Sequence, residues 1–293
     1  MASRALATCP CGEIFKLYEM KMMRNTQNKQ KEAVAHPTKD HWSKRLLIMA
    51  LVLVCGFCYA QNELPTISAD RPGALTGTDV MPRYKVQWET GMGFESTKDG
   101  PHILVLNNTL LRFGLFETAE IRLGANALML NEGQDKEPLY GMTPLTFGIK
   151  ARFFEGRGFL PSVALLAEVK SPHVGSKEWL PSRLTPTLHL LFEHTVTNWL
   201  GIGYNIGTEW DGETGTTATY LGFGLYFSLS EQIGSFVETY NFIRPEEGNQ
   251  YLTQFGFTWL VSRRVQLDLA ADLDFLNLNK FYAISGGVAW LIN

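Results

Sequence analysis

The chain has 293 residues, 45% of them hydrophobic, and its 26 basic and 29 acidic side chains leave a formal charge of −3. That mild acidity deepens once the basic N-terminus is set aside, and it excludes a general nucleic-acid binder. No run reaches the roughly 20 consecutive apolar residues that a membrane-crossing helix needs, which excludes a helical membrane protein.

Residues 1–43 are polar and show no period. They read either as a disordered leader or as the product of a start codon placed upstream of the true one, with Met20, Met22 and Met23 as candidate starts. Residues 44–60 have the parts of a secretory signal peptide. Lys44 and Arg45 give the basic flank, residues 46–57 the apolar core, and Cys58-Tyr59-Ala60 a small-x-small cleavage site before Gln61. At twelve residues that core is short for a membrane anchor. Cys55 and Cys58 follow Val54 and Phe57, where a lipoprotein site wants a small residue. Cleavage near Ala60 discards all four cysteines and leaves 17 basic against 25 acidic residues, a balance of −8. A thiol-free chain suits an oxidising compartment.

Residues 61–83 contain three prolines and no period, and are expected to form a periplasmic N-terminal segment. From residue 84 the pattern changes. Val86, Trp88, Thr90, Met92 and Phe94 alternate with Gln87, Glu89, Gly91, Gly93 and Glu95. Such alternation places one set of side chains on each face of a strand. It recurs in twelve segments: 84–97, 103–115, 119–130, 143–153, 159–170, 183–195, 199–210, 217–229, 233–243, 250–260, 265–276 and 281–292. Most are longer than the 5–6 residues usual for a globular strand and match the roughly 9–11 that a tilted strand needs to cross a bilayer. Connections after even strands are tight, whereas the longer, polar ones (131–142, 171–182, 211–217, 244–249) follow odd strands. Short turns on the periplasmic side and longer loops outside are the habit of outer-membrane barrels. The expectation is an all-β fold: a transmembrane antiparallel up-and-down β-barrel of about twelve strands over residues 84–293, following a signal peptide.

Leu267, Leu269, Ala271, Leu273 and Phe275 give the eleventh strand an outward face, and Asp268, Asp272 and Asp274 an inward one. Leu145, Phe147, Ile149, Ala151 and Phe153 do the same for the fourth. Trp210 near one rim, with Trp259 and Trp290 near the other, suits an aromatic girdle. Three places fit poorly. An inward Arg112 sends Asn107 and Thr109 outward, so strand 2 needs a bulge or an interfacial position. Strand 9 puts Phe236 on the wet face and Asn241 on the oily one, and Trp199 shares the inward parity of Gly201. The chain also ends in Asn293, where many such barrels end in an aromatic.

The inward parity selects Glu89, Arg112, Glu120, Arg122, Lys150, Arg152, Glu168, His189, Glu193, Glu238, Asp268 and Asp272 as candidate pore-lining residues, with Lys170, Glu209 and Asp274 on the same face. Charged linings set selectivity in channels. The same residues equally make a salt-bridged interior that stiffens a closed barrel, because twelve strands fall between packed eight-stranded barrels and open ones of 16–18. A hydrolytic site would need a serine, histidine and carboxylate in contact. His189, Glu193 and Thr187 on strand 6 and Ser162 on its neighbour are the nearest set, but residues four apart on a strand stand about 13 Å from each other. His102 and His173 fall in loops, and no spacing suggests a metal site. The stretch 201–207 (GIGYNIG) lacks the strand–loop–helix context and the Lys-Ser/Thr of a phosphate loop; its inward glycines more simply leave room in the lumen. No catalytic, metal or cofactor site is expected.

ADRPG (69–73), QWETGMGFE (87–95), NNTLLRFGLFETAEIRLG (107–124), GMTPLTFGIK (141–150) and GYNIGTEWDG (203–212) resemble the bacterial outer-membrane "transporter" or meta-pathway of phenol degradation family. The resemblance covers about residues 69–293. It implies an outer-membrane β-barrel of Gram-negative bacteria, grouped with channels for small, often aromatic or hydrophobic compounds. The expected partners are outer-membrane lipid and lipopolysaccharide, a small-molecule solute and the barrel-assembly machinery. The alternative is a non-conducting structural or adhesion barrel. Arg112, Glu120 and Arg122 are expected to form a cluster that anchors the 116–118 turn or the ADRPG segment, through Asp70 and Arg71.

Overall fold

The structure, a computed structural model, describes residues 66–98, 100–132, 137–244, 250–274 and 281–292. The expected leader, signal peptide and cleavage site lie outside the described residues, as do Phe275, Asn293 and much of the 131–142 and 244–249 loops. Every described element is a strand: β1 Val86–Thr97, β2 His102–Phe116, β3 Ala119–Asn131, β4 Leu139–Met142, β5 Thr146–Phe154, β6 Ser162–Lys170, β7 Thr185–Thr195, β8 Leu200–Trp210, β9 Thr217–Ser228, β10 Ile233–Ile243, β11 Gln250–Ser262, β12 Val265–Asp274 and β13 Phe281–Leu291.

Each strand pairs antiparallel with its neighbours, and β1 pairs with both β2 and β13, so the sheet closes on itself. Closure removes the edges, the condition for backbone in hydrocarbon, except at the short β4, whose free side meets the 171–184 loop through Met142 and Ser176. Twelve staves complete the circle, because β4 and β5 pair in turn with the two halves of β3. The expected fourth strand, 143–153, therefore starts later, and part of the segment expected to be loop is β4. The cause is local. Pro144 has no N–H for a ladder, so the chain steps aside over residues 143–145. There the Thr143 N–H donates to the Asn126 carbonyl (2.8 Å), and the Leu145 N–H donates to the Val174 carbonyl in the 171–184 loop (2.8 Å).

The outer wall is apolar and exposed, with Met92, Phe147, Ile149, Leu190, Phe223, Phe257 and Leu269 among its large side chains. A continuous belt of this kind is a lipid face rather than a water face. Leu269→Arg places a cation on it and should cost about 2–4 kcal/mol at mid-depth, read as a lower stability of the barrel in vesicles. Trp259 and Trp290 stand half exposed toward the short-turn rim, as expected of a girdle. Trp199 does not follow the inward parity. It precedes β8 in a turn, where strand parity does not apply, and it stacks on Phe227 outside (centroids 6.4 Å apart).

A β-bulge between Val105 and Asn107 resolves the conflict in β2. Its extra residue, Leu106, shifts the parity, so that Ile103 and Val105 face inward together with Arg112. Asn107 and Thr109 do face outward, where the Thr109 hydroxyl donates to the Asn107 side-chain carbonyl and that of Thr90 adds a second bond (3.3 Å). In β10 the pairing runs without a bulge, and Phe236 is buried inside, over Gly256, where a Cβ would stand 2.6 Å from its ring.

Candidate functional site

The barrel interior has two layers. Toward the long loops, Ile103, Leu128, Leu130, Tyr220, Phe242 and Leu252 form an apolar cluster, which Trp179 enters from the 171–184 loop and Leu75 from the N-terminal segment. Toward the short turns the inward side chains are charged, and residues 66–83 run among them.

This segment is a plug. Its entry is tied to the rim by the Ile67 N–H donating to the Arg263 carbonyl (2.9 Å). The Ser68 carbonyl accepts from Gln87 Nε2 (2.9 Å) and Arg112 Nη1 (2.8 Å). Glu89 takes the backbone N–H groups of Asp70 (3.3 Å) and Arg71 (3.0 Å). Farther in, Glu238 accepts the N–H groups of Ala74 (2.6 Å) and Leu75 (3.0 Å), Asn205 donates to the Thr76 carbonyl (3.1 Å), and Glu193 accepts both the N–H and the hydroxyl of Thr78. The chain then returns. The Met81 N–H donates to Glu120 (2.7 Å), and Tyr84, in the left-handed region at φ 63°, turns the backbone into β1. A segment without internal ladder bonds is thereby satisfied by the wall around it.

The return arm passes so close to β2 that a Cβ on Gly114 would stand 2.6 Å from the Met81 carbonyl oxygen and closer still to that of Pro82. These are backbone atoms and cannot rotate away. Gly114→Val should therefore lift residues 80–83 and destabilise the barrel by about 1–3 kcal/mol, the usual cost of overpacking. Faster protease cleavage between Asp79 and Tyr84 would reveal it.

At the centre sits Asp70. Its carboxylate pairs with Arg122, with Lys150 Nζ (3.1 Å to each oxygen) and with Arg112 Nη1 (3.6 Å). Burial alone would raise its pKa, but Arg112, Lys150 and Arg122 overcome that and hold the carboxyl well below the ordinary carboxylate range. Arg112, 1% exposed, also forks onto Glu120 (Nε and Nη2, both 2.9 Å), meets Glu89 (3.0 Å) and donates to the Asp79 carbonyl (3.0 Å). Arg122 reaches Glu168 (3.0 Å) and Glu120 (3.1 Å). Arg71 turns away from this cluster and pairs with Asp268 on β12 (3.0 Å). Its guanidinium lies over Gly91 and Gly287, where side chains would collide with it.

Of the candidate lining residues, Glu89, Arg112, Glu120, Arg122, Lys150, Glu193, Glu238 and Asp268 touch the plug directly, and Glu168 joins them through Arg122. Arg152 reaches Asp79 (3.3 Å) nearer the solvent. Asp272 stands apart, accepting from Tyr240 (2.9 Å) and Gln254 (3.0 Å). His189 stacks on Tyr220 (4.6 Å) and lies 3.5 Å from Glu209, while Glu193 is engaged with Thr78 and Ser162 accepts the Gly156 N–H. The serine, histidine and carboxylate are thus each committed elsewhere. Against the expectation that inward glycines leave room in the lumen, the space beside several of them is taken by neighbouring side chains. A Cβ on Gly203 or Gly224 would meet the Tyr226 ring, and one on Gly222 would meet Leu75. Gln87, Asn205, Tyr226 and Gln254 also belong to the interior; their inward parity is visible in the sequence, but without a charge they do not stand out.

The basic side chains are confined to one part of the wall, where Glu89, Glu120 and Glu168 stand among them. All the lysines and arginines within the described strands lie on β2, β3, β5 and β6, and β7–β13 carry none. The charged residues of β7–β12 are acids, among them Glu193 on β7, Glu238 on β10, and Asp268 and Asp272 on β12. The plug matches this pattern: the Asp70 carboxylate meets the cations of β2, β3 and β5, and backbone N–H groups with the Arg71 guanidinium meet the wall carboxylates.

The family model described as "Putative MetA-pathway of phenol degradation" matches residues 69–289. Among solved structures, an outer membrane channel from Pseudomonas putida F1 is 9% identical, covering 73% of this chain and 98% of its own, with a TM-score of 0.56. The KdgM porin is 10% identical over 70% of this chain and 99% of its own (TM-score 0.48). The CymD monoaromatic hydrocarbon channel is 8% identical over 73% and 90% (TM-score 0.43). No curated protein matches the sequence.

Proposed function

Because the chain belongs to the family described as "Putative MetA-pathway of phenol degradation", we propose that it is a Gram-negative outer-membrane channel that passes small, hydrophobic or aromatic solutes passively. The observation that carries this reading is the interior. A barrel wall needs only its ladder and its lipid face, yet this lumen is lined with charge and closed by a separate segment held through polar bonds. Such bonds can be exchanged for water, so the plug is a removable obstruction, and the charged residues around it become the lining when it yields. Transport then runs down the gradient, without cofactor or bond chemistry. The family description and the channel fold of the Pseudomonas putida F1 protein support the class. The same filled interior favours one second reading, a non-conducting barrel stiffened by its own ion pairs. Planar bilayers separate the two: folded protein should give discrete channel events, and their persistent absence would leave the structural barrel. Liposome swelling with sugars, amino acids and aromatics would then rank the solutes.

A further inference from the structure

The three cations around Asp70 form a site whose present occupant belongs to the chain itself. Arg112, Arg122 and Lys150 converge on one carboxylate, with Lys150 Nζ 3.1 Å from each of its oxygens. The same cations are balanced by three wall carboxylates, Glu89, Glu120 and Glu168. Remove Asp70 and three positive charges face three negative ones, with planar guanidinium donors and an ammonium left aimed at the vacated point. One further monoanion restores the present arrangement. A carboxylate suits it, because guanidinium forks match its two oxygens. With Asp70 in place the cluster holds one negative charge in excess, and a dianion would raise that excess to two. The cluster is not sealed: the Glu168 side chain is 22% exposed and that of Asp70 11%.

We propose that this cluster is a binding site for the carboxylate of a small organic acid, with Asp70 as its tethered stand-in, and that exchange of the two frees the plug. The second half rests on the channel reading above; the first does not. Asp70 reaches the site together with Arg71, which bonds Asp268 on β12, so displacing the carboxylate removes the tie to β2, β3 and β5 and leaves residues 70 and 71 held through Glu89 on β1 and Asp268 on β12.

The test uses full-length protein in detergent and vesicles, with benzoate and acetate as probes and benzamide and chloride as controls at equal ionic strength. In Asp70→Ala, benzoate and acetate should raise the unfolding temperature in a concentration-dependent way and benzamide should not. A shift shared by benzamide or chloride, or no shift at all, overturns the site. A second measurement does not depend on that variant folding. In Thr76→Cys, alkylation of residue 76, read by peptide mass, should quicken several-fold with benzoate but not with benzamide. Equal labelling with and without benzoate overturns the exchange. Bilayer recordings keep the two readings apart. Carboxylate-specific effects without channel events leave the site and remove the channel, whereas channel events without such effects do the reverse.

Discussion

Deleting residues 66–83 should turn a closed barrel into a steadily conducting one. The segment contributes no strand to the ladder, so the closed sheet from β1 to β13 stays paired without it. What disappears is the material across the charged layer: Asp70 between Arg122 and Lys150, Arg71 against Asp268, and the backbone from Ala74 to Thr78 that Glu238 and Glu193 hold. Twelve strands enclose more than an eight-stranded barrel, whose side chains alone fill it. The emptied layer is polar and hydrates readily. Planar-bilayer recordings should pass from brief, discrete openings in the intact chain to a long-lived open level, and liposomes should swell faster with small sugars. Unchanged conductance in a deletion variant that still shows heat-modifiable migration would mean that the apolar cluster near the long loops, rather than the plug, closes the lumen.

Arg112→Ala should cause the largest loss of stability by a single substitution. Arg112 is buried and bonds Glu120 through two nitrogens, Glu89 through a third contact, and the carbonyls of Ser68 and Asp79 on both arms of the plug. Its removal leaves two buried carboxylates short of a cation, a change that typically costs 3–5 kcal/mol. Arg112→Lys keeps the charge but not the fork, and should fall between the two. Adding Glu120→Gln to Arg112→Ala should recover part of the loss, because one orphaned charge goes with it. Urea unfolding from vesicles measures all three. A loss within about 0.5 kcal/mol, the range of an ordinary surface change, would remove Arg112 from the centre of the network.

The barrel is legible in the sequence because a strand with lipid on one side and a polar lumen on the other must alternate. Asp268, Asp272 and Asp274 fix the register of β12, since a one-residue slip would send all three into hydrocarbon. The conflict at Asn107 and Thr109 marks the bulge for the same reason. The plug leaves no such trace. Its bonds run mostly from backbone N–H and C=O groups, which any sequence carries, so Ala74, Leu75 and Thr76 look like any other loop residues. The pairing of Asp70 with Arg112 and Arg122 is foreseeable from charge; that of Arg71 with Asp268 depends on the closure of β13 onto β1, which brings β12 close to β1. Trp179 sits in a polar loop, and only the fold shows that it enters the apolar cluster.

The uneven distribution of charge around the wall has a consequence for anything that crosses. Among the described strands the basic residues of β2–β6 are offset by Glu89, Glu120 and Glu168 beside them, whereas β7–β12 carry acids alone, so the field in the emptied lumen has a component that runs across the path of travel rather than along it. A transverse field neither pulls a molecule through nor holds it back. It torques a dipole, turning the molecule until its negative end faces Arg122 and Lys150. Solutes of equal size then differ in passage by whether they fit the bore in that one orientation, and an elongated molecule with charge at one tip meets the wall broadside.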